Sequence, residues 1–171
     1  MNREILFRAK SIQTDKWITG YYFEDEDGKS YMGYMGKERY IPDTRDWDTA
    51  EYYENNPTYN WVFVKEEVVS ETVGQYTSLT DKNDTKIFEG DIVRIGRQFG
   101  KYLYGEDNYV CKYDANSASC KFYYIVPKDI ADINGYAVIA GGITISEMER
   151  GFTIEVIGNI FDNPELLQEN G

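Results

Sequence analysis

The residues best suited to chemistry are three carboxylates, Asp81, Glu89 and Asp91. Glu89 and Asp91 are two positions apart, so on a strand they would share a face, and oxygen ligands of this kind suit Mg²⁺ or Mn²⁺. Such a set would define a carboxylate-based, metal-dependent hydrolase. The alternative is structural, because Gly90 favours a turn whose carboxylates accept backbone N–H groups. We favour the turn, and we expect no catalytic residue, no metal and no cofactor.

Other catalytic patterns are lacking in this sequence. It contains no histidine, which removes Ser–His and Cys–His nucleophile pairs and histidine metal ligands. Gly28, Lys29 and Ser30 resemble the end of a phosphate-binding loop, but Phe23 stands where that motif needs its first glycine. We therefore expect a protein that is not an enzyme.

The two cysteines, Cys111 and Cys120, lie on alternating segments joined by a polar turn. If Tyr113 faces Ala118, then Cys111 lies opposite Cys120. This pairing allows a cross-strand disulfide or a metal site, but a third ligand with zinc-site spacing is missing. Two small buried thiols are the interpretation that we favour.

Two groups of residues are candidates for partner contacts. Arg94, Arg97 and Lys101 lie in a stretch without acidic residues and with interleaved aromatics. This pattern fits a nucleic-acid or phosphate contact, but we favour a solvated loop in a chain of this net charge. Large aromatic side chains supply contact area at low entropic cost, although for each of these candidates we favour burial in the core. The aromatic candidates are Trp17, Trp47, Tyr52 and Tyr53.

Composition limits the class of protein. The chain has 171 residues, 18 basic and 30 acidic side chains and a net charge of -12, a balance that disfavours a nucleic-acid or anionic-membrane partner. The length fits one domain with its own core. The first residues contain no apolar signal region, and no window approaches the ~18 apolar residues of a membrane span. These features predict a cytoplasmic location.

Most segments alternate with period two and are rich in Tyr, Val, Ile and Thr, which is typical of strands. We predict a mainly β fold with small, barrel-like or SH3-like antiparallel sheets and one or two short helices. One helix is expected over 43–53, where an irregular loop is the alternative, and the other is expected at Pro164–Glu169. The predicted strands cover residues 5–9, 17–23, 30–35, 60–69, 75–79, 87–95, 108–113, 119–126, 137–145 and 152–160.

Three segments carry a resemblance to a known family. Residues 72–83, continuing through 87–93, strongly resemble the signature of the YopX family of phage and prophage proteins, and residues 3–9 and 156–167 agree with its flanking signatures. The three occur in family order, so they indicate a single domain over 1–171, with a variable insertion at about 97–150. The signature positions are Gly74, Gln75, Tyr76, Thr77, Leu79, Asp81, Asn83, Glu89, Gly90, Asp91, Gly158 and Asn159.

The resemblance implies a largely β, barrel-like protein in the cytoplasm of an infected or lysogenic bacterium. It carries over no catalytic residue and no cofactor, so the signature positions are expected to be structural. The sequence departs from the family at Ser78 and at Asp84, where glycine is usual.

Three functions are compatible with these observations. The first is a non-enzymatic binding or assembly module for a host or phage protein, and the second is an acidic decoy that occupies a host nucleic-acid-binding protein. The third is the hydrolase described above. We also predict a homo-oligomer, because residues 61–64 and 137–145 are apolar on both faces and need cover. Two layers packed within one monomer would be the alternative.

Overall fold

Antiparallel strands make up most of the regular structure. A computed structural model describes residues 4–40, 54–99, 102–125 and 152–167. These residues contain ten strands and two 3-10 turns, Ser70–Thr72 and Pro164–Leu167. The strands are β1 (Phe7–Lys10), β2 (Trp17–Glu24), β3 (Ser30–Tyr40), β4 (Thr58–Glu67), β5 (Gly74–Thr80), β6 (Lys86–Phe88), β7 (Asp91–Phe99), β8 (Tyr102–Asp114), β9 (Ser119–Tyr124) and β10 (Phe152–Asn159).

The strands form two antiparallel sheets. The first has the order β4-β3-β2-β1-β5-β6, and the second has the order β10-β7-β8-β9. The predicted mainly β, antiparallel class is therefore confirmed. Within the described residues both sheets remain open, and no barrel closes.

The chain passes from the first sheet to the second at Gly90. The sequence predicts one strand over 87–95 with a bend at this glycine, and the structure contains two strands, β6 and β7, on either side of it. Gly90 has φ +82°, a conformation that costs glycine little and most other residues more. Its N–H donates to the Cys111 carbonyl at 2.9 Å, and its carbonyl accepts the Ile160 N–H at 2.9 Å. The bend is thus a crossing between sheets.

Each sheet contributes to a separate buried cluster. The larger cluster lies mostly on the second sheet, and the smaller one lies under the first. Burying a large apolar side chain stabilises the fold by roughly 1.5–3 kcal/mol, so both clusters matter for stability. The larger contains Ile87, Val93, Ile95, Cys111, Cys120 and Phe122, and the smaller contains Ala9, Met32 and Val68.

The predicted cysteine register is wrong by two residues. Cys111 pairs with Phe122, and Cys120 pairs with Tyr113. The reason is Asp114, which ends β8 opposite Ser119 because its carboxylate accepts the Asn116 N–H at 2.9 Å and holds the turn. Both cysteines are buried free thiols, as we expected. A hydrogen bond with Cys120, together with burial, raises the pKa of the Cys111 thiol well above its usual value.

Several predicted elements differ from the structure or lie outside the described residues. The expected C-terminal helix is a 3-10 turn, Pro164–Leu167, as far as the described residues extend. Asn163 does not cap it as expected, because its side-chain oxygen accepts the Asn159 N–H at 3.3 Å. The predicted helix over 43–53 and the strand over 137–145 lie outside the described residues. Among the residues that are described, no helix has the length and apolar character needed to cross a membrane.

Candidate functional site

The signature segments meet where the two sheets join, around Arg8 and Asp91. Arg8 on β1 and Asp91 on β7 form an ion pair between residues 83 positions apart, and the Asp91 side chain is only 1% exposed. The other Asp91 oxygen accepts the Phe88 N–H at 2.8 Å. The Arg8 guanidinium lies 4.7 Å from the Trp17 ring centre and 4.9 Å from that of Phe88. One arginine thus links both sheets.

The environment of Asp91 indicates a structural role. Burial raises the pKa of this carboxyl, while the charge of Arg8 and the Phe88 N–H act in the opposite direction. Both carboxylate oxygens already have protein partners. A buried carboxylate is stable only when it is paired and hydrogen-bonded in this way. These contacts explain why the sequence needs an aspartate here.

Asp162 extends this junction toward the C-terminal signature. Its carboxylate accepts hydrogen bonds from Asn159 Nδ2 at 2.9 Å and from Trp17 Nε1 at 2.5 Å, and it lies 2.5 Å from Lys10 Nζ. These partners lower the pKa of Asp162 to about 2, with the largest effect from Asn159, followed by Lys10 and then Trp17. Trp17 was a candidate for partner contact, but the structure places it in this cluster, 6.0 Å from the Phe161 ring.

A pH titration tests the Asp162 contacts. A carboxyl whose pKa falls from 3.8 to about 2 on folding stabilises the fold above pH 3.8, and this contribution is lost as the pH falls toward 2. Asp162→Asn should therefore lower the Tm at neutral pH, with a deficit that disappears near pH 2. Asp15→Asn is the matched control, because Asp15 also faces Lys10, at 3.7 Å, but is 87% exposed. Equal effects of the two variants would contradict the assignment.

Asp81 joins the turn after β5 to the other sheet. Its Oδ1 accepts the N–H groups of Asn83 at 2.7 Å and Thr85 at 2.9 Å, and its Oδ2 accepts the Val156 N–H at 3.1 Å. Burial opposes the ionised form, but these backbone donors outweigh it and lower the pKa of Asp81. Asn83 contributes its backbone N–H to this turn.

The three carboxylates of the hydrolase hypothesis do not converge. Asp81 binds β10, Asp91 binds Arg8, and Glu89 accepts the Gln75 N–H at 2.9 Å. In the part of the chain that the structure describes, no three His, Cys, Asp or Glu side chains are grouped closely enough to hold a metal ion. The geometry therefore assigns each carboxylate a separate backbone or ion-pair contact.

The remaining signature residues of β5 hold it against its neighbours. Gly74 lies opposite Arg8 in the sheet. The Tyr76 N–H donates to the Leu6 carbonyl at 2.8 Å, and its ring lies 5.5 Å from that of Phe88. The Thr77 hydroxyl donates to the Ile87 carbonyl at 2.8 Å, and Leu79 packs on the larger buried cluster. These contacts attach β5 to β6 on one side and to the β1 segment on the other.

The C-terminal signature forms a turn on the end of β10. Gly158 lies at a register shift between β10 and β7. The Asn159 side-chain oxygen accepts the N–H groups of Phe161 at 3.0 Å and Asp162 at 2.9 Å. This arrangement fixes Asp162 where it meets Lys10 and Trp17.

Ser78 and Asp84, the two departures from the family pattern, both have positive φ, at 71° and 63°. A non-glycine residue in this conformation is strained by roughly 1–2 kcal/mol. Replacing it with glycine removes this strain, but ordering the more flexible glycine backbone on folding offsets about half of the gain. Ser78→Gly and Asp84→Gly should each raise the free energy of unfolding by about 0.5–1 kcal/mol, measured by urea denaturation. Thr80→Gly, in the same strand, should destabilise the protein. A loss of stability in both test variants would refute this.

The basic candidates are not assembled into one site by the described residues. Arg94 is exposed on β7, where it pairs with Asn108 on one side and Glu155 on the other. Arg97 lies further along the same strand, opposite Tyr104. The other candidates, Lys101, Trp47, Tyr52 and Tyr53, lie outside the described residues.

One side of the first sheet exposes large apolar side chains, and we call this surface the aromatic face. Its members lie on β2, β3 and β4, where Tyr21 pairs with Gly33 and Met35 pairs with Phe63. Directly opposed residues of antiparallel strands point to the same side, so the whole set shares one face. The members and their exposed fractions are Tyr21 (65%), Met35 (56%), Tyr59 (55%), Trp61 (64%) and Phe63 (63%).

Lysines are interspersed with these rings. Lys37 Nζ lies 5.1 Å from the Trp61 ring centre, and Lys65 Nζ lies 3.6 Å from that of Tyr31. A Cβ at Gly33 would lie 2.5 Å from Phe63 Cζ, so the glycine leaves space for the Phe63 ring to cross β3. The face thus combines apolar area with positive charge in a chain of net charge -12.

The sequence indicated that residues 61–64 are apolar, but we did not predict from it that Trp61 and Phe63 belong to an exposed aromatic face. The signal was present, since Tyr59, Trp61 and Phe63 alternate with period two. The opposite side of β4 carries Val62 and Val64, which are half-buried. Periodicity alone does not say which of two apolar sides meets the core. The sheet order, which places β4 at an edge, decides this.

The fold and the junction define the class: a mainly β protein of two antiparallel sheets, held together by contacts among three sequence signatures. The sequence model of the YopX protein family matches residues 6–168. The chain therefore belongs to the YopX family.

A solved structure that is similar to the chain covers nearly its whole length. It is the crystal structure of protein EF1440 from Enterococcus faecalis, with a TM-score of 0.47 and 19% sequence identity. The similarity covers 97% of this chain and 99% of that chain. The search of curated proteins gave no match.

Proposed function

We propose that this chain is a non-enzymatic binding or assembly module that contacts its partner through the aromatic face. The observation that carries the proposal is the exposure of five large apolar side chains, each more than half exposed, on one side of one sheet. Contiguous apolar patches of this kind mark interaction surfaces on soluble proteins. Tyrosine and tryptophan are also enriched among the residues that dominate binding energy.

The other hypotheses gain less support from the described residues. The signature carboxylates are engaged in the structural contacts described above, which leaves the hydrolase without an assembled site. The aromatic face carries Lys37 and Lys65, whereas an acidic decoy needs a row of carboxylates on its contact surface. Membership of the YopX family supports the proposal that the module acts in a bacterial cytoplasm as a phage or prophage protein.

Affinity capture with matched variants tests the module. The tagged chain is expressed together with an untagged copy in bacteria that carry the encoding phage or prophage, and every co-purifying protein is quantified. The double variant Trp61→Ser/Phe63→Ser should lose the partners that the wild type retains. Tyr113→Ser is the control, because Tyr113 is 55% exposed and lies on β8 of the other sheet. Identical capture by all three proteins would refute the role of the face.

A further inference from the structure

We propose that the partner of the aromatic face is single-stranded nucleic acid, whose bases stack on the exposed rings while basic side chains of the same face contact its phosphates. This inference rests on the proposed function and specifies the chemistry of the partner. Three observations support it: the sorting of charge between the two sides of the sheet, the ladder of rings along β4, and the position of lysine ammonium groups on the rings.

Charge is sorted between the two sides of β2, β3 and β4. Because directly opposed residues point to the same side, the register places every basic residue of these three strands on the aromatic face and three of their four acidic residues on the other side. The basic residues are Lys37, Arg39 and Lys65, the acids of the other side are Glu24, Glu38 and Glu66, and the remaining acid is Glu67. The charge of the whole chain, -12, therefore does not describe this face.

The two ends of the aromatic face differ in charge. At one end, Tyr31 pairs with Glu67, and the Tyr31 hydroxyl forms a hydrogen bond with Asp25 in the turn before β3. Farther along β3, Lys37 pairs with Trp61. Phosphates are repelled by carboxylates and attracted by ammonium groups. The phosphate backbone is therefore expected to run from the middle of the face toward Lys37.

The rings follow one another along β4 at a regular spacing. Tyr59, Trp61 and Phe63 occupy every second position, and each is more than half exposed. Alternate residues of a strand are about 7 Å apart, so each ring can take a base of its own. Exposed rings on a sheet surface are a platform on which proteins stack unpaired bases. Every base has a flat face, so this contact requires no particular base sequence.

The lysines favour nucleic acid over a protein partner. Lys37 Nζ lies 5.1 Å from the Trp61 ring centre, and Lys65 Nζ lies 3.6 Å from that of Tyr31. The core of a protein interface is enriched in aromatic residues but depleted of lysine, because an ammonium group buried there without a counter-charge is costly. A nucleic-acid strand brings one phosphate with each base. An ammonium group beside a ring then gains a charged partner instead of losing its solvation.

Fluorescence anisotropy of the full chain with a labelled oligothymidylate of about 16 nucleotides tests the inference. The wild type should bind with a Kd of roughly 1–100 μM at physiological salt, and more tightly as the salt concentration is lowered. A duplex and an abasic strand of the same length should each bind at least about fivefold more weakly. The reason is that neither offers unpaired bases to the rings.

Two variants separate the stacking from the charge. Trp61→Ala should weaken binding at least about fivefold without changing the salt dependence. Lys37→Gln should reduce the slope of log affinity against log salt concentration by about 0.7. The controls are Tyr113→Ala, at an exposed ring of β8, and Lys82→Gln, at a lysine that pairs with Glu155 on the second sheet. Neither control should change binding, and circular dichroism checks that each variant is folded.

Three results of the anisotropy experiment would overturn the inference. They are a wild type that does not bind the oligothymidylate even at low salt, an abasic strand that binds as tightly as the oligothymidylate, and a Trp61→Ala variant that binds as tightly as the wild type.

Nuclease treatment of the material captured with the tagged chain separates this inference from the proposed function. Proteins held through a shared nucleic-acid strand should be released by the nuclease. A protein that the Trp61→Ser/Phe63→Ser variant loses, but that withstands the nuclease on the wild type, would overturn the inference. That result would leave the proposed binding module standing with a protein as its partner.

Discussion

Replacing Arg8 with methionine should lower the free energy of unfolding by about 3–5 kcal/mol at neutral pH, since it leaves a buried carboxylate without its partner. Asp91 is 1% exposed, and Arg8 is its only charged partner among the described residues. Methionine keeps much of the apolar volume between Trp17 and Phe88. Urea denaturation with constant m-values would measure the loss.

The comparison with other variants isolates the buried charge. Arg8→Met/Asp91→Asn should be more stable than Arg8→Met, because asparagine removes the unpaired charge and can still accept the Phe88 N–H. Lys86→Met is the control: Lys86 and Glu4 form an ion pair in which both side chains are more than a third exposed, worth about 0–1 kcal/mol. If Arg8→Met costs no more than Lys86→Met, the junction does not depend on this pair.

The pH dependence of the Arg8 variant has a defined sign. Burial already raises the pKa of Asp91 in the wild type, with Arg8 acting against it. Without Arg8, the folded protein should bind this proton more tightly than the unfolded chain does. The deficit of Arg8→Met should therefore shrink as the pH falls from 7 toward 4 and grow as the pH rises. A deficit that does not change with pH would point to lost packing alone.

The strands and turns could be predicted from the sequence because their signals are local. Alternation located β2, β5 and β10 to within a residue or so of their ends. Gly90 and the acidic residues beside it indicated a turn, and the structure has one. The buried state of the two cysteines also followed from residue type and strand pattern.

The junction could not be predicted, since its contacts join residues far apart in the chain. Nothing in the spacing of Arg8 and Asp91, 83 positions apart, indicates that they meet. The Cys111 register failed for a related reason: the side chain of Asp114, rather than strand alternation, decides where β8 ends. The exposure of Trp61 and Phe63 depends on sheet order, which periodicity does not contain.

Two turns of this protein have the same backbone pattern, but the turn after β5 also contacts β10 of the other sheet, through Asp81 and through the Lys82 N–H, which donates to the Ile154 carbonyl at 3.0 Å. In each, an aspartate Oδ1 accepts the N–H groups two and four residues later, from Asp27 and Lys29 for Asp25. Asp81 makes the equivalent bonds in the turn after β5. The aspartate N–H also bonds the carbonyl four residues later in both turns. The second oxygen of Asp81 accepts the Val156 N–H on β10, whereas the additional side-chain partner of Asp25 is Tyr31, in the same sheet.

Asp81→Ala should therefore lower the free energy of unfolding by about 2–4 kcal/mol, much more than Asp25→Ala does. Asp81 is only 7% exposed, so the substitution leaves buried backbone N–H groups without acceptors. Hydrogen exchange should show the additional loss as faster exchange of the Val156 amide, which Asp25→Ala leaves unchanged. Because these donors lower the pKa of Asp81, its contribution is present at neutral pH and is lost as the pH falls below 3.8. Equal destabilisation by the two variants would show that the turn alone matters, and that the bond to β10 does not hold the sheets together.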